Sequence, residues 1–481
     1  MRFPAIEITE FAKSQRKLCY ILLLVEVVLI STALIEVKLI LPILAAALLF
    51  AILSYPVTGI IILILYMFLI QLITQNPGPI HFWNWIGLPV FFSEIIIALT
   101  FSAVITRRYL AYDNSKLLKL NIVDKYVIFY LLLGGWGILY GYLNGASLYD
   151  IIEIFRYYLR FPSAYFLARV IIKNEKDIRL VVQILFIAGF IMAMKWITIH
   201  GIRLVSGVGI SIPLNYEHEN LFYTFFAITG VYLFLSKLYI KKKYFPLFIL
   251  SLMNTYTLLF SFRRAFWVSL VISIILMVIL TWKQYRHRLK LLFVIIPILV
   301  IILMSSGAFE ALYSRAATIT PEYDPEDPVS DSNATRILEN YNVFKAFLKK
   351  PLLGEGFGNE YEPEIPYPWP DYYLKMIHNC YGTAWIWMGI PGLITFTLIF
   401  LVFIIISYKL YRVSKSPFSR FFAMSSSALF SAFMIAASLA HYFYYIKPPI
   451  FIGIIGAIVS LAYYENKNIE LYKPHCQKIP N

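Results

Sequence analysis

Apolar runs long enough to cross a bilayer recur along nearly the whole chain, and they constrain the fold more than any other feature. A spanning helix needs about 20 mostly apolar residues. Candidate spans centre on 18–35, 39–54, 58–75, 88–106, 126–143, 153–172, 179–198, 220–237, 245–261, 265–282, 291–306, 381–406, 421–439 and 448–464. Of the 481 residues, 60% are apolar and only 14% charged, against about 45–50% and 25% in soluble domains. Too little polar side chain remains to cover a globule in water, which excludes a cytosolic enzyme, a secreted repeat protein and a disordered chain. The expected fold is all-α: a polytopic integral membrane protein of about 12–14 transmembrane helices.

The polar breaks alternate in charge. Starting from a basic, polar N-terminus without a signal-peptide pattern, every second gap is basic: TRRYLAYDNSKLLK, KNEKDIR, KLYIKKK, KQYRHRLK and SYKLYRVSKSPFSR. The gaps between them hold QNPGPIHFWNWIG, the 198–219 loop, a tight turn at 262–265 and the long segment 307–380. That segment carries 6 basic and 12 acidic residues, so it sits apart from the basic face. The positive-inside rule places both termini in the cytoplasm. It also accounts for the net charge of +15 without a nucleic-acid partner; the bilayer is the partner. Three divisions follow: transmembrane helices over 1–306, an extracytoplasmic cap loop over 307–380 between late helices, and C-terminal helices with a cytoplasmic tail over 381–481.

Within the cap, PEYDPEDPVSDS reads as extended, and residues 334–350 read as an amphipathic helix. Ile337, Tyr341, Phe344 and Leu348 share one face, with Glu339, Asn342, Lys345 and Lys349 on the other. Pro351 stops it. Gly354, Gly356 and Gly358 read as a flexible turn suited to a hinge, and an aromatic, proline-rich return leads to His378. This pattern suits a cap lying on the outer leaflet. Cys19, Cys380 and Cys476 are too far apart along the layout to form a disulfide framework.

Few residues there can carry chemistry. Arg263 and Arg264 occupy an outward turn, against the positive-inside bias, where guanidinium would bind phosphate through a permanent, forked charge; snorkelling helix ends are the bland alternative. His378 stands at the entrance to the 381–406 span, and a histidine can take a proton from a hydroxyl at neutral pH. Arg336 and Arg203 read either as anion-binding or as solvated. Arg156 and Arg160 lie one turn apart inside a span, where charge must face protein, water or a headgroup; Glu153 is a local candidate partner. GEGFG lacks the strand of a nucleotide loop, and YEHEN lacks metal-ligand spacing. No metal site and no cofactor is expected.

Taken in order, the serine–arginine turn, the long loop with an arginine-led helix, RILENYNVFKAFLKKPLLGEGFGNEY and IHNCYGTAWIWMGIPGL resemble the O-antigen ligase and O-antigen polymerase superfamily of bacterial surface polysaccharide assembly, over about residues 200–400. The resemblance implies a glycosyltransferase of the inner membrane. It would move a glycan from a polyprenyl (undecaprenyl) diphosphate carrier to a hydroxyl on a glycan or lipid acceptor, at the extracytoplasmic face. It would be inverting and metal-independent, serving lipopolysaccharide or related polysaccharide biosynthesis. By position, His378 matches the catalytic histidine. Arg263 or Arg264, Arg336 and Arg203 match donor-diphosphate arginines, with Arg156, Arg160 and Asn379 as secondary candidates. Fourteen spans lean towards a polymerase over a ligase. A transporter or flippase of a lipid-linked sugar is the alternative from another class, although it leaves the single large cap unexplained.

Overall fold

A computed structural model describes residues 50–52, 54–73, 81–85, 88–110, 120–206, 219–261, 263–305, 332–367, 374–440, 442, 445 and 447–472. The expected spans at 18–35 and most of 39–54, the acidic stretch at 321–331, His218, Cys19 and Cys476 lie outside these residues. The described chain is a helical bundle: α1 Val57–Ile73, α2 Phe92–Leu110, α3 Ile122–Leu143, α4 Leu148–Ile171, α5 Glu175–Val205, α6 Asn220–Leu235, α7 Phe245–Leu259, α8 Arg264–Ser305, α9 Ser332–Lys349, α10 Cys380–Val413, α11 Pro417–Ala437 and α12 Lys447–Tyr472. A short antiparallel hairpin, β1 His81–Trp85 with β2 Leu88–Phe91, precedes α2. Residues 88–91 are therefore strand rather than the start of the expected span.

Among the described residues, six helices are long and apolar enough to cross a membrane (in α3, α5, α8, α10, α11 and α12), and shorter apolar helices lie in α1, α2, α6 and α7. The protein is an all-α, multi-pass membrane protein. The expected spans 265–282 and 291–306 fall on two helical segments within α8 that meet at a kink at Tyr285 (φ −123°, ψ 15°).

Basic residues inside the bundle are answered by acids or rings. Asp124, fully buried, closes the capping box that starts α3 with Asn121; it accepts from Tyr165 at 2.7 Å and pairs with Arg169 at 3.3 Å. Lys195 lies 4.8 Å from the Trp196 ring. Arg156 pairs with Glu94 of α2 at 2.7 Å, and Arg160 lies 3.9 Å from the same carboxylate and 4.6 Å from the Tyr157 ring. Glu153, the local candidate, instead accepts from the Tyr157 hydroxyl at 2.9 Å. The tertiary neighbour wins because its carboxylate is held against both guanidinium groups where water is scarce, and charge buried without a counter-ion is costly.

The PLLGEGFGN segment is not a hinge. Gly354, Gly356 and Gly358 have φ of 67°, 86° and 82°, which a residue with a Cβ adopts only at a cost. Each is also in close contact: a Cβ on Gly354 would lie 2.2 Å from the Trp385 carbonyl, and one on Gly356 2.4 Å from the Gly141 nitrogen. The segment is clamped between α3 and the start of α10. Helix α10 breaks at Gly389 (φ 66°, ψ −163°), just before Pro391. Backbone groups at the break bond to the clamp: Ile390 N–H donates to the Pro351 carbonyl at 3.0 Å, and the Ile386 carbonyl accepts from Glu355 and Gly356 at 2.7 and 3.1 Å. On the α3 side, Gly137 and Gly141 open a groove one residue wide. Phe357 N–H donates to the Gly137 carbonyl at 2.9 Å, and Asn359 Nδ2 donates to the Gly141 carbonyl at 3.1 Å. The Phe357 ring is fully buried between Tyr158 (5.3 Å) and Trp387 (5.6 Å).

Candidate functional site

The clamp holds α9 across the end of the bundle. Part of its polar face turns inward: Glu339 is 2% exposed and Asn342 is fully buried, whereas Lys349 on the same face is exposed. The apolar stripe of Ile337, Tyr341, Phe344 and Leu348 is exposed. Asn342 clasps the return segment in both directions, donating to the Ile365 carbonyl at 2.8 Å and accepting from Ile365 N–H at 2.9 Å. Lys375 pairs with Asp150 at 2.5 Å, tying the return to the first turn of α4. Burial alone would raise the Asp150 carboxyl, but hydrogen bonds from Lys375 and Ser147 outweigh it and hold that group below the usual carboxylate value.

His378 emerges where this return meets α10. Asn379 is the N-cap of α10, accepting from Tyr381 and Gly382 N–H at 2.9 and 3.3 Å, and its Nδ2 donates to Asn340 Oδ1 of α9 at 2.9 Å. His378 itself is half-exposed, while its Nδ1 lies 3.2 Å from both oxygens of buried Glu339. The same carboxylate accepts from the His378 backbone N–H at 3.2–3.3 Å. Among the described residues no group bonds Nε2, which is left to the open side.

Arg336 stands one turn before Glu339 and Asn340 on α9, and its carbonyl accepts from Asn340 Nδ2 at 2.8 Å. Residues three and four apart share a helix face, so Arg336 lies along the edge that carries the contacts to His378 and Asn379. The Arg263–Arg264 turn is brought to the same end through two contacts. Phe266, in the first turn of α8, packs on Tyr442 at 5.8 Å, and Tyr442 N–H donates to Cys380 Sγ at 3.3 Å. Arg203 joins from α5: one turn earlier His200 packs on Phe260 at 4.8 Å, three residues before Arg263. Chains of neighbouring contacts thus connect the segments that carry Arg203, Arg263 and Arg264 with each other and with the start of α10, where His378 and Asn379 stand. Arg156 and Arg160 are engaged by Glu94 in the α2–α4 contact.

Helical spacing puts Glu339 opposite the apolar stripe, and no local pattern says that this opposite face meets His378. A second omission is Glu219, buried at the start of α6. It accepts from Lys447 Nζ, Trp196 Nε1 and the Tyr223 hydroxyl, each at 3.0 Å. No local pattern joins residues 219 and 447, so only the fold reveals the pair. Among the described residues no three His, Cys, Asp or Glu side chains converge as a metal site.

With this geometry in place, a family model described as O-Antigen ligase matches residues 246–397. This stretch is similar to the O-antigen ligase family. It runs from α7 through the arginine turn, α8, α9 and the clamp to the start of α10, and so contains Arg263, Arg264, Arg336, Glu339 and His378. The similarity supports a part in surface polysaccharide assembly of the O-antigen ligase or polymerase type. No curated protein matches the chain.

Proposed function

We propose that this protein is an inverting membrane glycosyltransferase that moves a glycan from a polyprenyl diphosphate carrier to an acceptor hydroxyl, on the extracytoplasmic face of the inner membrane. The observation that carries the reading is His378, fixed by Glu339 on the edge that Arg336 shares and open on its Nε2 side.

Each group has a task in that reaction. An acceptor hydroxyl is a poor nucleophile until a base takes its proton, an assistance worth typically 10²–10⁴-fold. His378 Nε2 serves as that base. The leaving diphosphate gathers negative charge as the sugar–oxygen bond breaks. Arg336, Arg203 and the Arg263–Arg264 turn bind it and stabilise the transition state more than the ground state. Attack from the side opposite the diphosphate inverts the anomeric carbon. The exposed apolar stripe of α9 rests on the outer leaflet, which keeps the site at the depth of the carrier's headgroup.

The test uses purified protein in lipid nanodiscs with undecaprenyl-diphosphate-linked oligosaccharides and a pool of glycan and lipid acceptors. Mass spectrometry follows released undecaprenyl diphosphate and the product. Release by the wild type that is lost in His378→Ala supports the reading, and a lengthened or relocated glycan separates polymerase from ligase. Equal release by both proteins removes His378 as the base.

A further inference from the structure

We infer that Glu339 is the positioning residue of His378, fixing which ring nitrogen carries the proton and stabilising the imidazolium that forms during transfer. The inference rests on the transfer reading, and goes beyond it by adding a group from a different helix that helical spacing alone would place in solvent.

Three observations converge on it. The carboxylate is 2% exposed, so it is not a solvated helix-face acid. It engages the backbone and the ring of the same residue, with both oxygens 3.2 Å from Nδ1 and the main-chain N–H at 3.2–3.3 Å. An ionised carboxylate only accepts, so the neutral ring must carry its proton on Nδ1, facing Glu339. Nε2 then presents a lone pair outward. The neighbouring Asn379–Asn340 bond repeats the α9-to-α10 tie one residue further on, so ring and carboxylate sit on two elements joined at two adjacent points.

The step balances as follows. The acceptor O–H proton passes to Nε2, and the acceptor oxygen bonds the anomeric carbon. The bond from that carbon to the diphosphate oxygen breaks, its electron pair leaving on the diphosphate. The ring is then an imidazolium whose Nδ1–H faces a buried negative charge, and it returns the Nε2 proton to water. A purely structural Glu339 would hold the main chain before the α10 N-cap and nothing more.

Two readouts separate these roles in the full-length protein. The first is nitrogen NMR of ¹⁵N-histidine-labelled protein in nanodiscs, with the His378 signal assigned by its loss in H378Q. The neutral ring of the wild type is expected to carry its proton on Nδ1, and E339A to move it to Nε2. A wild-type ring protonated on Nε2, or a tautomer unchanged in E339A, overturns the inference. The second readout is transfer from undecaprenyl-diphosphate oligosaccharides. E339Q keeps an acceptor oxygen but loses the charge, so kcat should fall about tenfold with KM unchanged, the change expected when a charge-assisted hydrogen bond becomes a neutral one. Wild-type kcat in E339Q overturns the inference, and this holds even where E339A fails to fold. If the wild type transfers no glycan, the proposed function fails, and the tautomer alone decides whether Glu339 positions the ring.

Discussion

Replacing Phe357 by alanine tests whether PLLGEGFGN is a docked clamp or a hinge. The ring is fully buried and touches Tyr158, Trp387 and Phe155, at centroid distances of 5.3, 5.6 and 6.3 Å. An aromatic side chain of this kind buries about 150–250 Å², or roughly 4–6 kcal/mol at 25 cal/mol per Å². Substitutions of buried Phe by Ala cost about 3–5 kcal/mol, and the two figures agree. Because the contacts join one segment to α3, α4 and α10, the loss should appear first as local undocking. Amide hydrogen exchange over 351–361 should then rise by between about 10² and a few times 10³. Leu352→Ala, at 67% exposed, provides the control and should change exchange little. If Phe357→Ala leaves exchange of this segment within a factor of about five of wild type, the clamp is wrong and a mobile turn is right.

Three further outcomes follow from buried charge and from pH. Glu94→Ala removes a counter-ion from Arg156 and Arg160, which are 16% and 3% exposed; the cost should reach at most about 3–5 kcal/mol, read as a lowered unfolding temperature in detergent. Lys447→Met should destabilise by a similar amount, and adding Glu219→Gln should recover much of it, because the carboxylate is then no longer buried without its cation. Asp150 is held below its unfolded value, so its pairing with Lys375 contributes stability above about pH 4 and loses it as pH falls through the folded value. Protection factors of residues around Lys375, corrected for the intrinsic exchange rate at each pH, should therefore fall on acidification in the wild type, and Asp150→Asn should flatten that acid-side fall.

The helical bundle was legible because long apolar runs have one stable solution in a bilayer. The start of α10 and His378 were legible too, since an Asn-capped apolar run marks a helix entrance. What spacing could not supply was which face of α9 turns inward. Amphipathic patterning marks Ile337, Phe344 and Leu348 as one face, and that face is exposed, but the burial of Glu339 and Asn342 opposite depends on tertiary partners, His378 and Ile365, that spacing cannot name. Glu94 was missed for another reason: it lies 62 residues from Arg156, and Glu153, three residues away, was the only acid that local geometry could offer. The glycines of the clamp were read by their freedom alone. Composition records which φ values a residue permits, whereas the approach of Gly141 and the break at Gly389 belong to the tertiary structure.

The most direct test of the account is a single-turnover comparison of wild type, His378→Ala and Arg336→Ala, measuring donor binding and the rate of glycan transfer separately with undecaprenyl-diphosphate oligosaccharides. The account predicts that His378→Ala binds donor as the wild type does yet loses about 10²–10⁴-fold in rate, whereas Arg336→Ala weakens both donor binding and transfer. A His378→Ala protein that transfers glycan at the wild-type rate would contradict it.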